Sequence, residues 1–421
     1  MKILLSACAA NPSHGSEGYF GWSAFESLQK NHEVKVITAQ GNRPSIVREL
    51  GSEKTAQLFR FAGLPPLIIQ NRMLARIRSW RHNLAFHRAV GPVAEKWMRE
   101  EKFDLVHHIT YSTWRVATPL WKLPIPLVWG PLGGGEIMPR NTRSILSHQA
   151  RVFEWCRDLS DFTSVHSRRV RACAKGAAIV ISSNHETCLR LIQIGVPRER
   201  IRMFSPAHFS KKKIESYVGT KDMRDMAGPF RLFAGGNLEG RKGIAIALQA
   251  LAKAKDRGLK FAYTLGGSGP EADYLKKLAR KLGLEREVIF HPGFRGLDYP
   301  RELKQTHIYL LPSLRENAGI TLLEAMLAGC VPVVADAGGP GEIVNTECGF
   351  KCPLGLPEYM ANWICERLMQ LWGARKELES LGAAARQRVA ANFSSDHWME
   401  RMESAYTEAL GNSGQGASLK K

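Results

Sequence analysis

Short apolar runs separated by helical stretches recur along this chain, and the alternation starts afresh near its middle. Residues 2–7, 33–38, 104–109, 126–129 and 177–182 form a first series of candidate strands, with a helix expected over 21–30. Residues 231–234, 261–265, 288–290, 307–311 and 331–335 form a second, with helices expected over 243–255, 271–282 and 320–328. Strands that alternate with helices pair in parallel, because a parallel neighbour is reached only through a long crossover. Two such series imply two doubly wound sheets, which suits 421 residues better than one core does.

The break between the series sets the expected domains. Residues 1–205 form the first and 229–394 the second. The polar stretch 206–228, with Lys211-Lys212-Lys213 and no strong period, is read as a linker. Trp398, Met402 and Tyr406 recur every four residues, so 395–411 is expected as a helix that returns to the first domain. The Gly/Ser/Lys-rich residues 412–421 are expected to be a disordered tail. Ligands of open α/β sheets bind outside the carboxyl ends of the strands, so two sheets facing each other across a cleft would hold a ligand there.

Composition excludes several classes. No run of about 18 apolar residues occurs, so no spanning helix is expected. The apolar start Met1-Lys2-Ile3-Leu4-Leu5-Ser6 is broken by Asn11-Pro12-Ser13-His14 and is read as a buried strand, not a signal peptide. The eight cysteines lack a Cys-x-x-Cys pair, and Cys348 and Cys352 have no second ligand pair nearby. That favours free thiols in a reducing cytoplasm. Lys+Arg 59 against Asp+Glu 39 gives +20, a field that draws the chain to phosphates, anionic lipid or nucleic acid. Nucleic acid is not expected, since no aromatic-interleaved basic motif, helix-turn-helix or zinc pattern is present.

The most informative stretch is Glu316-Asn317-Ala318-Gly319-Ile320-Thr321-Leu322-Leu323-Glu324, which follows a strand and opens a helix. Gly319 permits close approach of a ligand, and the amides around Gly319, Ile320 and Thr321 would form an anion site at the helix start. A diphosphate could sit there, with Glu324 accepting from ribose hydroxyls and Glu316 facing another polar group. The plainer reading makes Glu316 a helix-dipole partner and Glu324 a solvated residue.

This stretch resembles the Glu-x7-Glu element of family 4 retaining glycosyltransferases, which have the GT-B fold. The likeness runs through Ser313, Leu323-Glu324-Ala325-Met326, Gly329-Cys330-Val331-Pro332-Val333-Val334-Ala335 and Gly338-Gly339-Pro340-Gly341-Glu342-Ile343-Val344. Upstream, Gly267-Ser268-Gly269-Pro270 and Val288-Ile289-Phe290-His291-Pro292-Gly293 are similar as well. It covers most of residues 229–350 and is looser in the first domain. The resemblance implies an α/β, GT-B architecture of two Rossmann-like domains, the first binding the acceptor and the second the nucleotide-sugar. It implies that Glu316 contacts donor-sugar hydroxyls, that Glu324 holds the ribose, and that Asn317, Ala318, Gly319 and Ile320 line the diphosphate. The family's phosphate-binding Lys falls on Lys242. Asn237 stands where the family's Arg is usual, and Arg241, beside Lys242, could reach the same charge. Preorganised cations stabilise the charge that grows on a departing diphosphate. No cofactor or metal is therefore expected.

In the first domain, Asn11 to Trp22 looks like the family's glycine-containing loop. Gly15 and Ser16 would approach the diphosphate, and Glu17 or Tyr19 the acceptor; a tight turn explains the glycines equally well. Asp104-Leu105-Val106-His107-His108-Ile109-Thr110 resembles an Asp-x-x-His-x-His pattern with Ile109 at the usual second His. His107 matches the first, and His108 could take the catalytic role if the strand end bulges. Gly133-Gly134-Gly135-Glu136 admits either substrate contact, through Gly134 and Glu136, or a sharp chain reversal.

From Arg60 to Lys175 there are 19 Lys/Arg against 8 Asp/Glu. Met73, Ile77, Trp80 and Leu84 share a helical stripe there, flanked by Arg72, Arg76, Arg81 and Arg88. That pattern suits a membrane-surface helix or a core-packing helix with solvated arginines. An anionic membrane surface met through the basic first domain is thus a candidate partner, at the inner face of the plasma membrane.

The expected function is transfer of a sugar, with retention, from a nucleotide-sugar to a saccharide or lipid-linked saccharide in cell-surface polysaccharide synthesis. A non-catalytic nucleotide-sugar-binding module and an epimerase on the same fold stay open. The base, the sugar, the acceptor, the linkage and the oligomeric state are not legible.

Overall fold

A computed structural model of the chain describes residues 1–12, 16–63, 72–111, 113–218, 223–294 and 298–416; for 16, 72–81 and 412–416 it describes the backbone alone. The chain divides into two units. Unit 1 comprises Met1–Gly135, Ser160–His208 and Ser395–Lys421, and unit 2 comprises Glu136–Leu159 and Phe209–Ser394.

Unit 1 is built on strands β1 (Lys2–Ala7), β2 (Glu33–Ala39), β3 (Phe59–Ala62), β4 (Leu105–Thr110), β5 (Leu127–Leu132), β6 (Ile179–Ser182) and β7 (Ile201–Met203). They form one sheet in the order β3-β2-β1-β4-β5-β6-β7, with parallel neighbours throughout. Unit 2 carries β8 (Phe230–Gly235), β9 (Phe261–Gly266), β10 (Val288–His291), β11 (Ile308–Leu311), β12 (Val331–Ala335) and β13 (Phe350–Cys352). Their order is β10-β9-β8-β11-β12-β13, again all parallel. Both sheets are doubly wound and Rossmann-like, and each reverses its strand order beside its first strand.

The helices that bear on function are α1 (Ser16–Leu28), α2 (Arg72–Glu100), α3 (His148–Val165), α4 (Arg168–Gly176), α5 (Lys211–Val218), α6 (Ile244–Asp256), α7 (Ile320–Leu327) and α8 (Ser395–Gly416). The period-two rule shows in β1. Ile3, Leu5 and Ala7 point into one buried cluster, with Trp22, Phe25, Trp398, Met402 and Tyr406. Leu4 and Cys8 point into the other, with Phe86, Val90, Trp97 and Val106. A strand buried on both faces must be apolar throughout, which is how it reads. The stripe Trp398, Met402 and Tyr406 lies buried against unit 1, so the last helix returns as expected.

Several expectations change. Residues 136–159 pack with unit 2, where a first domain running to 205 was expected. The stretch read as a linker contains α5, whose Tyr217 is buried. The terminal helix continues to Gly416 where a disordered tail from 412 was expected, and 417–421 lie outside the described residues. Strands β3, β7 and β13 escaped notice because they are short and sit at sheet edges. Helix α1 begins at Ser16, not Gly21, so Glu17 and Tyr19 belong to a helix and not to a loop.

Candidate functional site

The polar cluster of unit 2 forms where β8 and β11 end. After β8 the chain makes a single turn, Gly240–Lys242, and enters α6 through Gly243 at φ +66°. A Cβ on Gly243 would lie 2.0 Å from the Pro312 carbonyl oxygen, so only glycine lets this turn pack on the loop after β11. The contact is sealed by the Leu314 amide donating to the Arg241 carbonyl at 2.8 Å.

That packing brings three of the sequence-predicted residues together. Arg241 Nη1 donates to Glu316 Oε2 at 3.1 Å and to the Arg315 carbonyl at 2.9 Å. Lys242 Nζ donates to the same Glu316 oxygen. Arg241 Nε donates to Glu239 Oε2 at 2.6 Å, and Asn237 Nδ2 donates to Glu239 Oε1 at 2.8 Å. Arg241, and not Asn237, therefore reaches Glu316. Burial alone would raise the Glu316 pKa, but the Lys242 ammonium and the Arg241 guanidinium hold it at about 2. Burial draws the Lys242 pKa down while Glu316 opposes it. Two cations facing one carboxylate leave Glu316 ionised at neutral pH.

Helix α7 starts at Gly319, which is left-handed at φ +58°, and no side chain caps it. Thr321 Oγ1, in its first turn, bonds the Tyr309 hydroxyl at 2.8 Å and the Gly235 carbonyl at 3.4 Å. The positive end of the helix is thus tied to the ends of β8 and β11, beside Arg241 and Lys242. Glu324 pairs with Lys213 Nζ of α5 at 3.2 Å; burial raises its pKa and Lys213 opposes the rise. A cavity of ≈ 420 Å³ opens at the end of β10, lined by His291, Gly293, Phe294, Asp298, Arg301, Glu302 and Gln305. The His291 ring stacks on Phe294 with centroids 4.0 Å apart.

The segment 136–159 supports this cluster. Arg315 Nη2 donates to Glu154 Oε1 at 2.7 Å, and both side chains are buried. Glu136 is buried, and its Cγ lies 3.1 Å from where a Cβ on Gly338 would sit; the Glu316 carbonyl lies 2.2 Å from the same point. Glu136 is therefore brought to the Glu316 loop. Gly134 is not: it stays in unit 1, where its carbonyl accepts from Trp114 Nε1 at 3.0 Å. A Cβ on Gly135 would lie 2.4 Å from Thr187 Cα, which accounts for part of the glycine triplet by chain packing.

In unit 1 the His107–His108 pair is now distinguishable. His107 is wholly buried, with Nε2 at 2.7 Å from the Gly130 carbonyl and Nδ1 at 2.7 Å from the Tyr406 hydroxyl. Since a carbonyl only accepts, Nε2 carries the proton and Nδ1 accepts from tyrosine. Both nitrogens are committed to the interior, which corrects the expectation of a catalytic His107. Burial holds its pKa at about 4. β4 slips register against β1 between Ser6/His108 and Ala7/Thr110, the kind of irregularity on which a role for His108 was conditional. His108 Nδ1 lies 2.9 Å from Ser6 Oγ, and its buried Nε2 has no hydrogen-bond partner among the described residues. The His87 ring lies 5.1 Å away, and burial, then His87, depresses the His108 pKa.

Tyr19 donates to the His208 carbonyl at 3.0 Å. Burial pushes the Glu17 carboxyl up to about 7, and its Oε2 has no hydrogen-bond partner among the described residues. Gly15, Arg295 and the side chains of Ser16, Arg72, Met73, Arg76, Ile77, Trp80 and Arg81 lie outside the described residues. Glu239, Lys213 and the Arg315–Glu154 pair are site residues that sequence reasoning missed. Only Lys213 left a signal, its four-residue spacing from Tyr217.

Residues 226–388 match the family described as Glycosyl transferases group 1. The chain resembles an uncharacterized glycosyltransferase of Methanocaldococcus jannaschii, 30% identical over 194 residues, which cover 46% of this chain and 47% of that protein. It also resembles the putative colanic acid biosynthesis glycosyltransferase WcaL of Escherichia coli, 28% identical over 214 residues, 48% of this chain and 50% of that one. The chain spans about half the length of the curated relatives it matches. Among solved structures, Anabaena HepE in complex with UDP and glucose superposes with a TM-score of 0.60, at 18% identity over 97% of this chain and 99% of HepE. The fold is GT-B, two Rossmann-like α/β domains.

Proposed function

We propose that this protein is a retaining glycosyltransferase that moves a sugar from a nucleotide-sugar to a saccharide or lipid-linked saccharide, in the assembly of cell-surface polysaccharide. The observation that carries the reading is the convergence of Arg241, Lys242 and Glu316 beside the uncapped start of α7. Support comes from the group 1 match over this same unit, from HepE with bound UDP and glucose, and from WcaL in colanic acid biosynthesis.

The donor diphosphate sits on the α7 amides, and Arg241 and Lys242 turn from Glu316 to its oxygens. Glu316 then accepts from hydroxyls of the donor sugar, and Glu324 from the ribose. The acceptor hydroxyl attacks the face that the diphosphate leaves, and a diphosphate oxygen takes its proton. The growing charge is met by two side-chain cations and a helix dipole already in position, so the step calls for no metal. The cavity beside His291 and Phe294 takes the base. An anionic membrane surface presents the acceptor to the basic first unit.

Glu316→Ala is expected to abolish transfer while the protein still shows a thermal shift with one of the UDP-, GDP- or ADP-sugars. Near-normal turnover by that variant refutes the assignment. Affinity for a nucleotide-sugar in the wild-type protein, with neither transfer nor hydrolysis, leaves a binding module.

A further inference from the structure

Helix α3 is amphipathic in the reverse sense. The face it turns to the protein is ionic. Glu154 is bound by Arg315, Asp158 takes two hydrogen bonds from Arg143 at 2.8 and 2.9 Å, and Asp161 is bound by Arg115. The face it turns to solvent is apolar. Val152, Trp155, Leu159 and Phe162 are spaced three, four and three residues apart and so form one stripe, with Trp155 64% and Phe162 65% exposed. A soluble helix normally shows the opposite arrangement, and an apolar stripe of this width marks a docking surface.

The surrounding charge says what docks there. Every acid of α3 is held by an arginine, and Arg151 on the same helix is exposed. The chain then continues into α4, where Arg168, Arg169, Arg171 and Lys175 are exposed while Val170, Cys173 and Ala174 are buried. No acidic residue occurs between Asp161 and Glu186. A second copy of this chain would bring +20 against +20, which opposes association. An anionic bilayer offers apolar depth to the stripe and opposite charge to Arg151 on the same helix, and Trp, Phe and Leu on a helix that also carries a basic residue are what an interfacial helix needs.

We propose that α3 is a membrane-docking helix, laying Val152, Trp155, Leu159 and Phe162 into the surface of an anionic bilayer. This gives the membrane-side partner of the proposed function a definite place on the chain, on α3. It does not depend on the chemistry of Glu316. Loss of transfer in Glu316→Ala with vesicle binding intact tests only the reaction, and loss of vesicle binding with transfer intact tests only this surface.

Cys156 supplies the probe, because it is exposed while the other seven cysteines are buried. The protein carrying an environment-sensitive dye on Cys156 is mixed with phosphatidylcholine vesicles, with or without phosphatidylglycerol. Co-sedimentation and a blue shift of the dye are expected with the anionic vesicles, weakening as salt is added. W155S/L159S should partition at least about tenfold more weakly, since it removes two buried apolar side chains, and R151E should weaken binding to anionic vesicles alone. Three results overturn the proposal: no binding by the wild-type protein, equal binding by W155S/L159S, or equal binding to vesicles without phosphatidylglycerol. A fourth does so as well, a dimer seen by light scattering without lipid that W155S/L159S dissociates.

Discussion

Replacing Glu316 by glutamine should weaken the fold and at the same time tighten the grip on a nucleoside diphosphate. Glu316 shares one carboxylate oxygen between Arg241 and Lys242. Its folded pKa is about 2 against an ordinary 4.5. That difference of about 2.5 units, at 1.36 kcal/mol each, is worth about 3 kcal/mol. The burial of Lys242 works in the other direction, so this is an upper figure. A folded pKa below the unfolded one gives stability that is present above 4.5 and is lost as pH falls through 4.5 towards 2. The glutamine variant should therefore trail the wild type in urea at pH 7, trail it by less at pH 3, and meet it near pH 2.

The same carboxylate competes with a diphosphate for the two cations. A carboxylate about 4 Å from a cation contributes on the order of 4 kcal/mol at an effective dielectric near 20. Even a third of that, about 1.4 kcal/mol, tightens a free nucleoside diphosphate about tenfold. Calorimetry with UDP, GDP and ADP on both proteins reads the change, and a sugar-transfer assay reads the expected loss of activity. Equal urea midpoints at pH 7, or weaker diphosphate binding in the variant, would refute the view that Glu316 and the donor share one pair of cations.

Two further outcomes follow from buried charge. Glu154→Ala leaves the Arg315 guanidinium buried without its carboxylate, a loss of roughly 3–5 kcal/mol; Glu154→Ala with Arg315→Leu should recover most of it, as measured by urea denaturation. Glu17 has a folded pKa of about 7, above its ordinary 4.5, so the unfolded chain gives up this proton first and stability falls as pH rises from 4.5 through 7. Glu17→Gln should flatten that fall and melt higher than the wild type at pH 8, which a calorimetric pH series checks.

The sheets were legible because a parallel strand buried on both faces reads as an unbroken apolar run, as in Ile179–Ser182 and Val331–Ala335. Edge strands such as Ile201–Met203, three residues long and buried only at Ile201, were not. In the site, Glu316, Lys242 and Arg241 could be found since each sits in a local glycine-marked turn. Glu239 could not, for its role is to bind Arg241 and Asn237, and nothing in its own neighbourhood distinguishes it from a loop glutamate. The histidines show how a motif can point to the right place and the wrong atom. The pattern located the end of β4 correctly, but only the Tyr406 hydroxyl, 299 residues further along, reveals that His107 has no nitrogen to spare.

Residues 136–159 make the same argument on a larger scale. Their composition gives no reason to separate them from the strand and helix on either side, so a reading by sequence order keeps them with unit 1. What assigns them to unit 2 is a set of pairings between positions more than a hundred residues apart. Tyr274 donates to the Ile145 carbonyl at 2.8 Å, Glu271 accepts from Ser147, and Glu154 holds Arg315. Leu146 and Ala150 crowd Gly240, where a Cβ would lie 2.6 Å from Leu146 Cδ2. Gly240 opens the turn that presents Arg241 and Lys242, and Arg315 precedes Glu316. The segment thus supports both sides of the polar cluster from behind. Glu154 is turned inward for that purpose and Asp158 holds Arg143, while Val152, Trp155 and Leu159 of helix α3 face outward.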